Sequence, residues 1–364
     1  MNKLLNTSFI IVSLLIANNV LSDESTTQKI SGTLMFDYGL LPESGEGFTS
    51  EIRRARIDLK HSLNQDWAVK LQLTFDEEDQ SSEIGDAYMR FSGIENMSIT
   101  MGKMKEPFGL ENMTSSKNIT FLERSMASNA FAPVRNKGLM LSGTPGDVTW
   151  AVALMDLDSD NKEDAPYAVT GRATWAPLQT KDQTLHVGFS ASLRQLNGDN
   201  FEIDERVELH SSEKIITSGK VDTDSLLLSG IEAAWVHGAF SVQSEYMSAD
   251  LKALDASENS GFDGYYLQAS YFLSADIRPY KKGAFSSIKP QSKEGAWELS
   301  SRYSMLNTHE ASDGSTVRTS TLGVNYYYDE NLRLMTNILH AQSSTDVADR
   351  DTWSGASFRL QYLF

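Results

Sequence analysis

The 364-residue sequence has no cysteine, only eight prolines, and a deficit of basic side chains, 32 against 49 acidic ones, for a formal charge of −17. Without cysteine, a small disulfide-stapled scaffold and a thiol nucleophile are both excluded. The deficit of positive charge argues against nucleic acid as a partner, because phosphate backbones select basic surfaces. Long apolar runs are missing as well: after Ser22 nothing approaches the roughly 20 residues that a membrane-crossing helix needs. No H-E-x-x-H, G-x-S-x-G or Walker loop occurs, and the six histidines are scattered, so neither an enzyme, a metal site nor a cofactor is read. The spacing of Asp156, Asp158 and Asp160 imitates the start of a calcium loop. Asn161 and Tyr167 then stand where such a loop needs glycine and glutamate, so it reads as a solvated acidic loop.

At the N-terminus, Lys3 precedes an apolar run from Phe9 to Ala17, with Val20 and Ser22 at minus three and minus one of a cleavage point. This predicts a secretory signal over residues 1–22 and a mature chain of 23–364.

The rest of the chain repeats one unit: about ten residues of period-two alternation, then a tight turn or a polar loop. The expected strands fall near 30–38, 51–62, 67–76, 84–92, 97–105, 137–144, 148–156 and 167–176. They continue near 184–195, 225–236, 239–249, 262–273, 296–306, 317–328, 331–341 and 353–364. Short connections such as "GIEN", "TPGD" and "VHGA" alternate with long polar ones, except at 274–295, which is long where a short turn is due. An even strand number with short turns on one side and long loops on the other predicts an all-β fold: a sixteen-stranded antiparallel transmembrane barrel. The last strand alternates Phe358, Leu360, Tyr362 and Phe364 with Ser357, Arg359 and Gln361. It must pair with the first, because an open edge in lipid leaves backbone groups unsatisfied. A secreted β-sandwich is the competing architecture.

With the apolar faces toward lipid, alternation aims Arg54, Arg56, Arg90, Arg172, Arg194, Arg302 and Arg359 into the lumen, against three carboxylates, Asp58, Asp86 and Glu298. Such a wall favours anions. The competing reading is that these arginines pair with wall carboxylates and only stiffen the barrel. Most of the acidic excess lies in loops, such as "DEEDQSSE" and "EIDERVE". The segment 106–136 lacks alternation and contains a helix-compatible piece, "SSKNITFLERSMA", with Ser115 as its expected N-cap.

That segment, "KEPFGLENMTSSKNITFLERSMASNAFAPVRNKG", together with "EIRRARIDLK", "DAYMRF", "GRATWAP" and "YKKGAFSSIKP", resembles the phosphate-selective porin O and P family in the same order along the chain. The resemblance implies a trimeric outer-membrane channel whose third loop, here 106–136, folds inward and constricts it. It also implies an anion site built from Arg53 and Arg54 of "RRAR", Ser115, Ser116 and Lys117 of "TSSK", and Arg124 of "LERS". Adjacent residues on a regular strand face opposite ways, so Arg53 and Arg54 can act together only at a bulge or a rim. Asn112 stands where characterised phosphate-binding members carry lysine. The partners implied are inorganic anions such as phosphate or polyphosphate, outer-membrane lipid and lipopolysaccharide, and two further copies of the chain. A weakly selective general-diffusion porin, and a surface scaffold with a plugged lumen and a working loop at 196–224, remain the other readings.

Overall fold

The computed structural model describes residues 27–41, 47–77, 81–158, 165–308, 314–346 and 349–364. The signal segment 1–22 and Asp160 lie outside them. Sixteen long strands run in chain order: β1 (Thr27–Leu41), β2 (Gly47–Ser62), β3 (Trp67–Asp76), β4 (Ser81–Ile94), β5 (Met97–Lys105), β6 (Arg135–Gly143), β7 (Val148–Asp156) and β8 (Tyr167–Gln179). They continue as β9 (Gln183–Gln195), β10 (Val221–His237), β11 (Phe240–Ala253), β12 (Ser260–Phe272), β13 (Ala296–Asn307), β14 (Thr316–Tyr327), β15 (Leu332–Asp346) and β16 (Asp349–Leu363). Each pairs antiparallel with its neighbours in sequence, and β16 pairs with β1 from Ala356↔Leu40 to Leu363↔Thr33. The barrel is closed.

The closing seam seats Phe364 against β1. The Gly32 N–H donates to the Phe364 carbonyl at 2.8 Å. A β-carbon on Gly32 would lie 2.1 Å from the Phe364 ring, so the ring can cover β1 only because that position is glycine.

Alternation sorts the faces as period two requires. On β9, Leu185, Val187, Phe189 and Leu193 are exposed while Thr184, His186, Ser190 and Ser192 are buried. An exposed apolar face around a buried polar one is the reverse of a water-soluble barrel, and it marks the outside as lipid-facing. No helix among the described residues is long and apolar enough to cross a membrane, which says nothing of a β-barrel.

Three long connections lie against the inward face. The first, residues 106–134, carries two short helices, α1 (Leu110–Met113) and α2 (Met126–Phe131). Ser115 does not cap a helix. The N-cap is Ser125, whose side chain accepts the Ser128 N–H, and the stretch between the helices is irregular. Its backbone carbonyls are taken by wall arginines, and intrachain bonds to β13, β15 and β16 replace the expected helix. The second connection, 196–220, joins α2 in an apolar cluster with Ile203 and Val207 against Leu226, Leu228, Met247 and Phe262 of β10 to β12. The third, 273–295, forms a small ribbon, Tyr280–Lys281 with Ala284–Phe285. Its Tyr280 hydroxyl meets His186 of β9 at 2.6 Å, and its Phe285 N–H donates to Thr114 at 3.3 Å.

Candidate functional site

The lumen has two chemically different walls. On β8, β9, β13, β15 and β16, guanidinium groups are buried or half-buried and each is held by a carboxylate or by loop carbonyls, although the Arg333 Nε has no acceptor among the described residues. Arg359 donates from Nε and Nη2 to the two Asp37 oxygens at 2.7 and 2.6 Å, and from Nη2 to Glu123 at 2.7 Å. Arg302 is 3% exposed and donates to Glu208 and to the Glu123 carbonyl, with its plane over the Phe121 ring. Arg333 holds the carbonyls of Ile119 and Thr120. Arg172 pairs with Glu232, and Arg194 with Glu106.

Most of these carboxylates are not among the three assigned to the lumen by alternation. Glu106, Glu111 and Glu123 come from the first long connection and Glu208 from the second, while Asp37, Glu232 and Glu245 are inward strand residues. The excess of lumen arginine over carboxylate is therefore corrected downward: Arg172, Arg194, Arg302 and Arg359 are anchors that hold loops. Glu245 accepts the N–H groups of Leu110 and Glu111 at the start of α1. Glu208, at a left-handed φ of 66°, accepts the Met126 N–H at the start of α2. Burial pushes the Glu208 carboxyl up, opposed by Arg302. Burial alone would also raise Glu123, but the guanidiniums of Arg53 and Arg359 outweigh it and hold it well below the usual carboxylate range.

The other wall, on β2 to β6, is different. The β1–β2 register slips between Met35↔Arg54 and Phe36↔Ile52, leaving Arg53 as the extra residue of a β-bulge. The bulge lets both arginines turn inward. Arg53 then binds Glu123 bidentately at 2.8 and 2.9 Å. Among the described residues, the buried Arg54 Nε has no hydrogen-bond or ion-pair partner, and the Arg56 Nε is equally unsatisfied. Arg56 reaches only the Ser116 hydroxyl among them, at 3.4 Å. The Arg333 Nε is unpartnered too, but Arg54 and Arg56 bring two such donors to one cavity, a place for an acceptor.

Arg54 and Arg56 line a cavity of about 550 Å³ with Lys103, Lys105, Arg124 and Arg135. Arg124 is held there by the carbonyls of Glu111 and Thr114 at 3.1 and 3.0 Å. Lys105 donates to the Asn112 carbonyl at 2.5 Å, and Arg135 pairs with Asp86 at 2.6 Å. A second cavity, of about 240 Å³, shares Arg54 and adds Arg206, His210 and Lys214 beside Glu205. A third, of about 520 Å³, contains Arg90 and Lys282 among serine and threonine hydroxyls. Arg90 itself donates to Thr100 at 3.1 Å.

The residues taken from the family pattern thus divide. Arg54 and Arg124 line one cavity together with Arg56, which Ser116 touches from outside its lining, and Arg53 is spent on Glu123. Ser115 is exposed, and Lys117 lines a small separate recess with Asn118 and Arg333. Lys103, Lys105 and Arg135 were missed. Met104 carries the inward parity of β5, so alternation assigns Lys103 and Lys105 to the outer face. The one available signal was the density of basic residues at the two ends of the long connection.

A closed even-stranded barrel with an apolar outer face and an interior of charged cavities defines an outer-membrane channel protein of the porin type. The chain belongs to the family "Phosphate-selective porin O and P", whose model matches residues 29–364. Among curated proteins it is similar to Porin O of Pseudomonas aeruginosa, 29% identical over 397 residues that cover 94% of this chain and 90% of that protein. Among solved structures it is similar to the anion-selective porin from Comamonas acidovorans, with a TM-score of 0.63 at 10% identity, covering 93% of this chain and all of that one. The outer membrane channel DcaP of Acinetobacter baumannii aligns with a TM-score of 0.61, also at 10% identity, covering 94% of this chain and 99% of that one. At that identity the two structures speak for the fold alone. The protein is an outer-membrane barrel channel.

Proposed function

We propose that the protein conducts inorganic anions passively, phosphate or polyphosphate among them, along the wall formed by β2 to β6. The observation that carries this is the pair of buried, unpartnered guanidinium donors on Arg54 and Arg56, side by side on one cavity, whereas Arg172, Arg194, Arg302 and Arg359 are paired with carboxylates. An oxyanion accepts from such a fork with charge-assisted hydrogen bonds, and the Ser116 hydroxyl is a further donor once it rotates. Arg124 adds positive potential at the cavity while its Nε and one Nη are held by loop carbonyls. Arg90 and Lys282 provide cations in the third cavity. On this reading the segment 106–134 narrows the lumen, three copies assemble through apolar outer faces in outer-membrane lipid and lipopolysaccharide, and residues 1–22 are removed on export.

The test is the reversal potential of the reconstituted channel in a planar bilayer under a potassium chloride gradient. A value on the anion side, moved toward zero by replacing Arg54 and Arg56 with alanine, supports the reading. Cation selectivity at moderate salt would overturn it. A neutral potential would favour a general-diffusion porin, and absence of conductance a plugged scaffold.

A further inference from the structure

Glu245, buried on the inward face of β11, is a carboxylate without a cation. Directly opposite it in register on β10 stands Glu232, a second carboxylate. Like charges in that arrangement destabilise a pair of strands. Glu232 is relieved by Arg172, and the inward carboxylates Asp37, Asp58, Asp86 and Glu298 also have a cationic partner each. Glu245 has none among the described residues. A buried, unpaired negative charge is costly, and in an anion channel it also has the wrong sign.

Backbone meets it instead. The N–H groups of Leu110 and Glu111 donate to its two oxygens at 2.7 and 2.6 Å, and the Tyr266 hydroxyl of β12 donates as well. The preceding N–H, of Gly109, goes to Ser190 of β9 at 3.2 Å. A β-carbon on Gly109, at a left-handed φ of 66°, would lie 2.8 Å from Glu245 Oε2, so glycine lets the chain come this near.

The two peptide groups that Glu245 holds are the ones that close α1. Their carbonyls, on Gly109 and Leu110, accept the N–H groups of Met113 and Thr114 at 3.1 and 2.9 Å. A single helical turn is marginal by itself, because fixing its dihedrals costs more than its bonds return. At the other end of the turn, carbonyls face cations. Those of Glu111 and Thr114 hold Arg124, and that of Asn112 holds Lys105. Both cations line the cavity of Arg54, Arg56 and Arg135, whose like charges push against them. Residues 110–114 therefore link Glu245 of β11 to two of the cavity's cations.

We propose that Glu245 is a positioning residue of the anion path: through α1 it sets where Arg124 and Lys105 stand, without touching the anion. The proposal rests on the anion-channel reading above. It inverts the sign expected of a lumen carboxylate, because removing this negative charge weakens anion selectivity.

The experiment uses the full-length channel in planar bilayers under a potassium chloride gradient, with hydrogen exchange of the 109–114 amides followed by mass spectrometry. Glu245→Gln removes the charge and turns one acceptor into a donor. Glu245→Asp keeps the charge and withdraws it by one methylene. The chloride-over-potassium ratio should fall about threefold in both variants, with faster exchange over 109–114. Neither variant should lower the ratio further once Lys105→Gln and Arg124→Gln are in place. A ratio that rises in Glu245→Gln and holds in Glu245→Asp marks a plain wall charge and overturns the proposal. So does a fall that persists in the Lys105→Gln, Arg124→Gln background. Faster exchange with an unchanged ratio is a merely structural role and overturns it too. The unmodified channel separates this proposal from the reading beneath it. Cation selectivity there overturns both, whereas anion selectivity that both variants leave unmoved overturns this proposal alone.

Discussion

The two walls of this lumen use the same residue types for opposite ends. On β13 and β16, Arg302 and Arg359 are each met by two acidic residues and by loop carbonyls, so their charge is spent on holding the first long connection in place. On β2, Arg54 and Arg56 face a cavity and keep donors free. The difference teaches that an arginine's face on a strand does not decide its role. What decides is whether a carboxylate from elsewhere in the chain arrives within reach, and those carboxylates come largely from loops.

The largest expected effect lies on the paired wall. Arg302→Ala strands Glu208 and Glu111 without their shared partner, and breaking a buried pair from one side costs about 3–5 kcal/mol. Thermal unfolding and protease cleavage within 106–134 should both report it, whereas ion selectivity of the surviving folded channel changes little. Loss of selectivity without loss of stability would mean that the two walls have been assigned the wrong way round.

Arg54→Ala combined with Arg56→Ala should do the converse. We expect the chloride-over-potassium permeability ratio to fall about tenfold, equivalent to about 1.4 kcal/mol, with thermal stability unchanged or raised because two mutually repelling, orphaned cations are gone. A stability loss like that of Arg302→Ala would erase the distinction. Arg194→Ala sharpens it further. Its partner Glu106 lies at 3.0 Å, so the net charge near the path changes by one while a carboxylate is set free. Selectivity should shift less than for either β2 arginine alone.

The smallest effect concerns the second cavity, where Glu205 stands beside Lys214 and Arg206. Burial pushes its carboxyl up to about 7, against the pull of Lys214. Above that value it is charged, and below it neutral, so acidification removes a negative charge beside Arg54. Chloride conductance at low salt should rise by less than about twofold as pH falls from 8 to 6, and Glu205→Gln should flatten the response. Chloride is the right probe because it does not titrate in that range.

The barrel was largely legible before any coordinates, since period two and alternating connection lengths are local properties. Strand ends moved by only a few residues: β2 begins at Gly47 instead of 51, and β16 at Asp349 instead of 353. That Arg53 and Arg54 can act together only at a bulge or a rim was equally readable, because adjacent side chains on a regular strand face opposite ways, and the fold takes the bulge. The candidate site was legible only in half. Arg54 and Arg56 stood out by alternation, but nothing local distinguishes them from Arg302 or Arg359, whose partners lie far away in sequence. Lys105 escaped because alternation assigns it to the outer face, whereas the fold brings its ammonium group to the Asn112 carbonyl of the first long connection. The inward apolar residues of β10 and β11, such as Leu228 and Met247, blurred the alternation there. They serve a loop packed inside the barrel.

Closure of the barrel has a consequence for the order in which the molecule can be made. Asp37 and Arg359 are 322 positions apart, and Arg359 also reaches Glu123 and the Leu122 carbonyl. The anchor that fixes the middle of the first long connection therefore cannot form until the last strand has emerged and met the first. Contacts of such separation are slow to find, because the loop-closure entropy falls due before the contact is made. Until then β1 and β15 each present an unpaired edge, and the 106–134 segment lacks its clamp. The nascent chain is thus committed to a late, single event that seals the wall and sets the interior together. A truncation that removes only the last few residues should leave strands able to form but an interior unable to settle.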